Sequence, residues 1–248
     1  MDLKSKVALV TGGTRGIGAA TAVTLARLGA DVAIVGREQA AGAAVREQIE
    51  ALGRRCLVIA ADISKPDEAT GCVRQTIDTL GSVDALVHSA GGATVGGLLE
   101  VSPEAWHYTF DVHVHAIYYL CRAALPDMQK RREGAIILVS SVAGIRGIPM
   151  NLAYQVVKGT VPQFARALAR EQADYNIRIN CVAPGIIRTR FHDQMTAEQR
   201  QHNLEHRIPL HREGTPEEVA ELIGQMVIND YITGETFVID GGLTMRIA

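Results

Sequence analysis

The sequence has few cysteines, and none is spaced for chemistry. Cys56, Cys72, Cys121 and Cys181 stand far apart with no C-x-x-C pair. That spacing excludes the usual zinc-knuckle and dithiol motifs and leaves the four as small buried apolar residues of a reducing compartment. There is no Lys/Arg-rich run, and the formal net charge is -2. A nucleic-acid surface needs clustered cations to neutralise phosphates, so small molecules are the expected partners. No apolar run reaches the roughly 18 residues of a membrane span. The opening "MDLKSKVALVTGG" sets only four apolar residues before a glycine, too few for a signal-peptide core. A cytoplasmic protein with no membrane partner is expected. No Pro/Ser-rich linker, low-complexity tract or solenoid repeat interrupts the chain, so residues 1–248, 47% hydrophobic, read as one domain able to bury a sizeable core.

What the chain does have is alternation. Short aliphatic or β-branched runs recur as "KVALV", "DVAIV", "RCLVIA", "DALVHS", "AIILVS", "IRINCV" and "TFVID", implying seven strands. The segments between them, such as "GAATAVTLARLG", "DEATGCVRQTIDTLG" and "AEQRQHNLEH", carry helical spacing or composition. Nearly continuous apolar strands separated by helices call for a parallel sheet covered on both faces, because parallel neighbours need crossover connections. The expected fold is therefore α/β and doubly wound, with ligands beyond the carboxyl ends of the strands.

After the first run comes "TGGTRGIG", placing Gly12, Gly16 and Gly18 on a strand-to-helix turn. Such a turn lets backbone approach a ligand, and the helix start offers free N–H groups to a pyrophosphate. The same glycines also serve an ordinary tight turn. The second strand ends at Gly36 and Arg37, with no acidic side chain to bind a ribose diol. Arg37, together with Arg15 in the glycine turn, favours the 2'-phosphate of NADP(H) over NAD(H). Asp62, after the third strand, either accepts from an adenine amino group or caps the next helix. The fourth strand runs into "HSAGG", small enough for a cofactor to lie against the backbone. The fifth delivers Ser141 beyond the sheet, and "AYQVVKGTVPQF" then sets Tyr154 and Lys158 one helical turn apart. Alone, that pair reads equally as a solvated helix face.

Taken in order, "TGGTRGIG", "SAG", a serine thirteen residues before "YQVVK", "APGIIRT" and "IDGG" resemble the short-chain dehydrogenase/reductase family along the whole chain. The resemblance implies a Rossmann-like seven-stranded sheet and hydride transfer between NADP(H) and a carbonyl or secondary alcohol. It implies Tyr154 as the proton donor or acceptor, Ser141 as the hydrogen-bonding partner of the substrate oxygen, and Lys158 as both the group that eases ionisation of the phenol and a hold on the nicotinamide ribose. Cofactor contacts carry over to Gly12, Thr14, Arg15, Gly16, Ile17 and Gly18, to Arg37, to Asp62 and Ile63, to Ala90 and Gly91, to Tyr154 and Lys158, and to Pro184, Gly185, Ile187 and Thr189.

Three departures from the family pattern carry expectations. His113 stands where relatives have an asparagine that holds a relay water behind the lysine, and a modified relay through His113 is expected. "HSAG" replaces "NNAG". Pro162 cannot donate to the carbonyl of Lys158, so a kink or an exposed carbonyl is expected in the tyrosine helix. A substrate lid is expected around residues 188–213. Within it His202 and His206 sit four apart, which reads as a solvated face; no metal is expected. The resemblance also implies a homotetramer built through helices at about 103–131 and 151–174. A 3-oxoacyl-carrier-protein reductase is the specific expectation, a sugar or polyol dehydrogenase the rival, and a non-catalytic NADP(H)-binding sensor the alternative of another class.

Overall fold

The strand order β3-β2-β1-β4-β5-β6-β7 reverses direction between β1 (Val7–Thr11) and β4 (Ala85–His88), and every adjacent pair is parallel. This computed structural model describes residues 1–193 and 195–245, with His192 through its backbone alone. The remaining strands are β2 (Asp31–Gly36), β3 (Cys56–Ala60), β5 (Gly134–Val139), β6 (Ile177–Pro184) and β7 (Thr236–Ile239). All seven expected strands are present. The inner strands are buried along nearly their full length, whereas β3 and β7, at the edges, are only partly covered.

Side chains of successive strand residues leave on opposite faces, and the core divides accordingly. Leu9, Leu86, Ile136 and Leu138 point into one cluster, closed by Ile117, Leu120, Met128 and Val161. Ala8, Val10, Val87 and Ile137 point into the other, closed by Leu25, Ile223 and Val227. The first face is covered by α3 (Pro66–Leu80), α5 (Ala116–Arg131) and α6 (Leu152–Gln172); the second by α1 (Gly16–Arg27), α2 (Ala43–Ala51) and α8 (Pro216–Ile228). Each fully buried aliphatic side chain contributes on the order of 1.5–3 kcal/mol, which is why the apolar runs could be read as strands at all.

Local signals place the helix ends. Pro66 opens α3 with Asp67 and Glu68 in its first turn, and Gly81 closes it in the left-handed conformation. Thr215 and Glu218 form a reciprocal capping box on α8. Helix α4 (Pro103–Phe110) continues into α5 through a π turn over Asp111–His115, a helical irregularity that often accompanies a site. Helix α7 (Ala197–His202) lies between β6 and α8.

Candidate active site

The sheet's reversal point brings two loops into contact. Gly12 has φ +68°, and a Cβ there would stand 2.8 Å from both N and Cα of Ala90, so the turn after β1 and the loop after β4 can meet only with glycine at this position. Across the same gap Thr11 Oγ1 lies 3.0 Å from His88 Nδ1. Helix α1 starts next to this contact with Arg15 as N-cap, no side-chain capping bond and no acidic residue in its first turn. Its first N–H groups therefore point out of the helix start with the positive end of the dipole behind them. Thr14 packs on Gly36, and Thr189 reaches Gly16, so the segment after β6 closes one side of the turn.

Arg15 and Arg37 are exposed, and neither forms an ion pair among the described residues. Asp62 Oδ1 accepts from both N and Oγ of Ser64 at 3.1 and 2.7 Å. Partial burial works to raise the Asp62 carboxyl, but these bonds and the charges of Lys65 and Arg37 outweigh it and hold the group below its usual range. The N-cap of α3 is Lys65. Asp62 therefore closes a turn instead of capping the helix, which corrects one of its two sequence readings. Ile63 is buried below it.

At the reactive end, Ser141 leaves β5 as the N-cap of a 3₁₀ turn, Val142–Gly144, and its Oγ accepts from Ala143 N at 3.1 Å. Tyr154 and Lys158 come from the first turns of α6. Burial pushes the Tyr154 phenol up to about 12, partly offset by its hydrogen bond with Ser141. Lys158 is 5% exposed; its Nζ donates to Val139 O at 2.7 Å and lies 5.7 Å from the centre of the Tyr154 ring. Burial pushes its ammonium down to about 8. The structure thus joins Ser141, Tyr154 and Lys158, but the expected easing of phenol ionisation by the lysine does not outweigh desolvation in this fold.

His113 is buried against the loop after β4. Its Nε2 lies 3.1 Å from the carbonyl of Gly92, and a Cβ on Gly91 would meet the ring at 2.1 Å. Donation from Nε2 to that carbonyl leaves Nδ1 with a lone pair and no protein partner. The ring stands edge-on to Tyr154 at 5.7 Å. Burial first, and the charge of Lys158 second, push the His113 pKa well down; the same causes push His88 down to about 3. Both are neutral imidazoles, each with one buried ring nitrogen unpartnered. Among the described residues no hydrogen bond joins Lys158, which donates to Val139 O, to His113, whose Nε2 faces Gly92 O.

At Pro162 the expected exposed carbonyl does not appear. Helix α6 runs unbroken from Leu152 to Gln172, and the Lys158 carbonyl is neither exposed nor unpaired, because Ser140 Oγ donates to it at 2.6 Å. Ser140, one residue before Ser141, finds this partner eighteen residues along the chain. Phe191 is a second residue the sequence did not single out. It follows Thr189 and places its ring 5.6 Å from that of Tyr154. Within the expected lid, Arg188 and Arg200 both reach the buried Glu213, at 3.5 and 3.4 Å. Gln194 and the side chain of His192 lie outside the described residues. The His202 and His206 rings lie 5.1 Å apart, tilted by 52°; among the described residues no group of three or more His, Cys, Asp or Glu could hold a metal ion.

A protein-family model described as enoyl-(acyl carrier protein) reductase matches residues 12–244. The 3-oxoacyl-[acyl-carrier-protein] reductase FabG of Chlamydia muridarum is 36% identical over 244 residues, spanning 97% of this chain and 98% of the relative. This chain belongs to the short-chain dehydrogenase/reductase family. Among solved structures, a short-chain type dehydrogenase/reductase from Mycobacterium marinum superimposes with a TM-score of 0.92 at 34% identity, covering 99% of this chain and 98% of that one. A blue fluorescent protein from a metagenomic library, solved in complex with NADPH, superimposes with a TM-score of 0.91 at 31% identity, covering 98% and 99%. Membership makes this dehydrogenase/reductase chain an oxidoreductase. No helix among the described residues is long and apolar enough to cross a membrane.

Proposed function

We propose that this dehydrogenase/reductase is an NADP(H)-dependent carbonyl reductase, of the kind represented by the 3-oxoacyl-carrier-protein reductases, working in the reductive direction. The observation that carries the reading is the buried Tyr154 phenol, on which Ser141 acts, with Lys158 Nζ 5.7 Å from the centre of its ring. A phenol held at about 12 is protonated at neutral pH, the form that gives a proton to a substrate oxygen becoming an alkoxide.

The cradle suits NADP(H): close-packed Gly12 and Ala90, the uncapped start of α1 with Arg15 at its N-cap, and Arg37, whose charge acts on Asp62, neither cation in an ion pair among the described residues. Arg15 and Arg37 hold the 2'-phosphate; Thr14, Gly16, Ile17 and Gly18 lie along the pyrophosphate. Ile63, Ala90 and Gly91 line the adenosine side, and Pro184, Gly185, Ile187 and Thr189 the nicotinamide side. When bound, the dinucleotide supplies the hydride. Ser141 fixes the substrate oxygen, Tyr154 protonates it, and Lys158, tethered to Val139 O, sets its charge beside the phenol. His113 keeps the back of the site neutral, with its Nδ1 lone pair open to a relay water.

The cleft walls beside Ser141 include Val142, Ala143, Ile148 and Leu243. Their apolar character favours an acyl or aliphatic carbonyl over a polyol. A binding-only role has no use for a buried phenol beside a buried lysine. The segment 188–213 acts as the lid, the chain is cytoplasmic, and its homotetramer forms through α4, α5 and α6, where Tyr108, Tyr118 and Val156 are exposed. The test is a spectrophotometric NADPH-oxidation screen over ketoacyl thioesters, aliphatic ketones and ketoses, with Tyr154→Phe as control. Turnover of the first two classes, lowered about 10²–10⁴-fold in the variant with NADPH binding retained, is expected; unchanged turnover in Tyr154→Phe refutes the assignment.

A further inference from the structure

Beside Ser141 opens a cleft of about 350 Å³. One wall is the loop after β5, from Val142 to Ile148. Gln155, next to Tyr154, clamps this wall by accepting from Ile148 N at 2.7 Å and donating to Ile148 O at 2.5 Å. The wall is therefore fixed relative to the phenol. The far side is formed by His206, Arg207, Leu243 and Thr244. Within this mostly apolar lining stand two guanidinium groups. Arg146 donates to Thr244 O at 2.7 Å, and Arg207 donates through Nη1 to Asn203 Oδ1 at 2.8 Å. Both partners are neutral, and neither arginine has an ion pair among the described residues.

The carboxylates nearby are otherwise engaged. Glu205 is 3.6 Å from His206. Asp240 accepts from Gly242 N at 2.8 Å and from both N and Oγ1 of Thr244 at 2.7 Å. Among the described residues no carboxylate lies within ion-pair distance of either guanidinium, and two such forked cations on one cleft match a planar or tetrahedral oxyanion, which guanidinium binds through paired N–H donors. We infer that the substrate is a carbonyl compound with a carboxylate or phosphate at the end of a short apolar chain, the chain lying along Val142, Ile148 and Leu243 and the anion held between Arg146 and Arg207. This deepens, and rests on, the carbonyl-reductase reading.

The test compares steady-state kinetics with NADPH for oxo acids of graded chain length, their methyl esters and the matching oxoalkyl phosphonates, in the unaltered protein and in Arg207→Gln, Arg207→Lys and Arg146→Gln. The charged member of each pair is expected to be preferred about tenfold or more in kcat/KM, chiefly through KM. The two glutamine variants should bring that ratio to near one, and lysine should restore part of it. NADPH titration of each variant shows that it is folded. Preference for phosphonate or for carboxylate identifies the anion, and either upholds the inference. Esters reduced as well as their acids, or a ratio unmoved by the substitutions, overturn it while leaving the reductase reading intact. No turnover of any carbonyl ends both.

Discussion

The hydroxyl of Ser140 donates a 2.6 Å hydrogen bond to the carbonyl of Lys158, and that carbonyl is the one Pro162 leaves without its helical amide partner. A side chain from the end of β5 thus completes the backbone of α6 at the turn that carries the lysine. Both groups are buried, so removing the donor costs more than the net value of one hydrogen bond: Ser140→Ala should destabilise the protein by about 1–3 kcal/mol. Pro162→Ala returns an amide to the same carbonyl. The double variant should recover much of the loss, and the coupling is measurable by denaturant unfolding of the four proteins in the cycle. Purely additive effects would disprove the link.

Cofactor choice is expected to follow Arg37. Its charge already acts on Asp62, at the carboxyl ends of β2 and β3. Arg37→Ala should weaken NADPH binding by about tenfold or more, the scale of one lost charge-assisted bond, and leave NADH binding nearly unchanged. Fluorescence titration with both nucleotides checks it; equal losses for both would refute the assignment.

His88 and His113 predict an acid sensitivity. Each has a folded pKa below its unfolded value of about 6.5, with His88 at about 3 and His113 well down. The folded state therefore binds fewer protons than the unfolded state below that pH. Their stabilising effect is complete above about pH 6.5 and is lost as pH falls toward the folded values, by up to about 1.4 kcal/mol per pH unit for each histidine. Replacing both with asparagine should flatten the fall of Tm with acidification, and neither ring should titrate in NMR spectra near neutral pH.

Tyr118 on α5 and Tyr108 on α4 are each 47% exposed, unusual for large aromatic residues on one helical surface. Light scattering is expected to give the mass of four chains. Tyr118→Glu should lower it to two or one, since a desolvated carboxylate at the centre of an interface is strongly unfavourable. A monomer in the unaltered protein would refute the tetramer.

Much of this was readable along the chain because it depends on local pattern. The inner strands are apolar on both faces because both faces are covered, and that double burial writes itself as continuous runs such as "AIILV". Tyr154 and Lys158 share a helix face because helical spacing brings residues four apart together. The roles of Ser140 and Phe191 were missed because nothing in their neighbourhood marks them: one bonds the carbonyl eighteen residues on that a proline twenty-two residues on leaves free, the other, after β6, packs its ring beside the tyrosine of α6. The exposed carbonyl expected at Pro162 failed for the same reason, since a missing amide is a local fact and its replacement is not.

The sequence by itself determined the order of strands and helices and the glycine turn, consequences of backbone geometry and residue spacing, and its ordered motifs, through their family resemblance, pointed to the serine, tyrosine and lysine. Only the tertiary structure decided the protonation balance among them. The family resemblance implies a lysine easing a phenol's ionisation, but packing both groups out of water pushes Tyr154 up and Lys158 down, because desolvation penalises whichever form carries the charge. How deeply a group is buried depends on chain segments far from it, and no window along the sequence contains them.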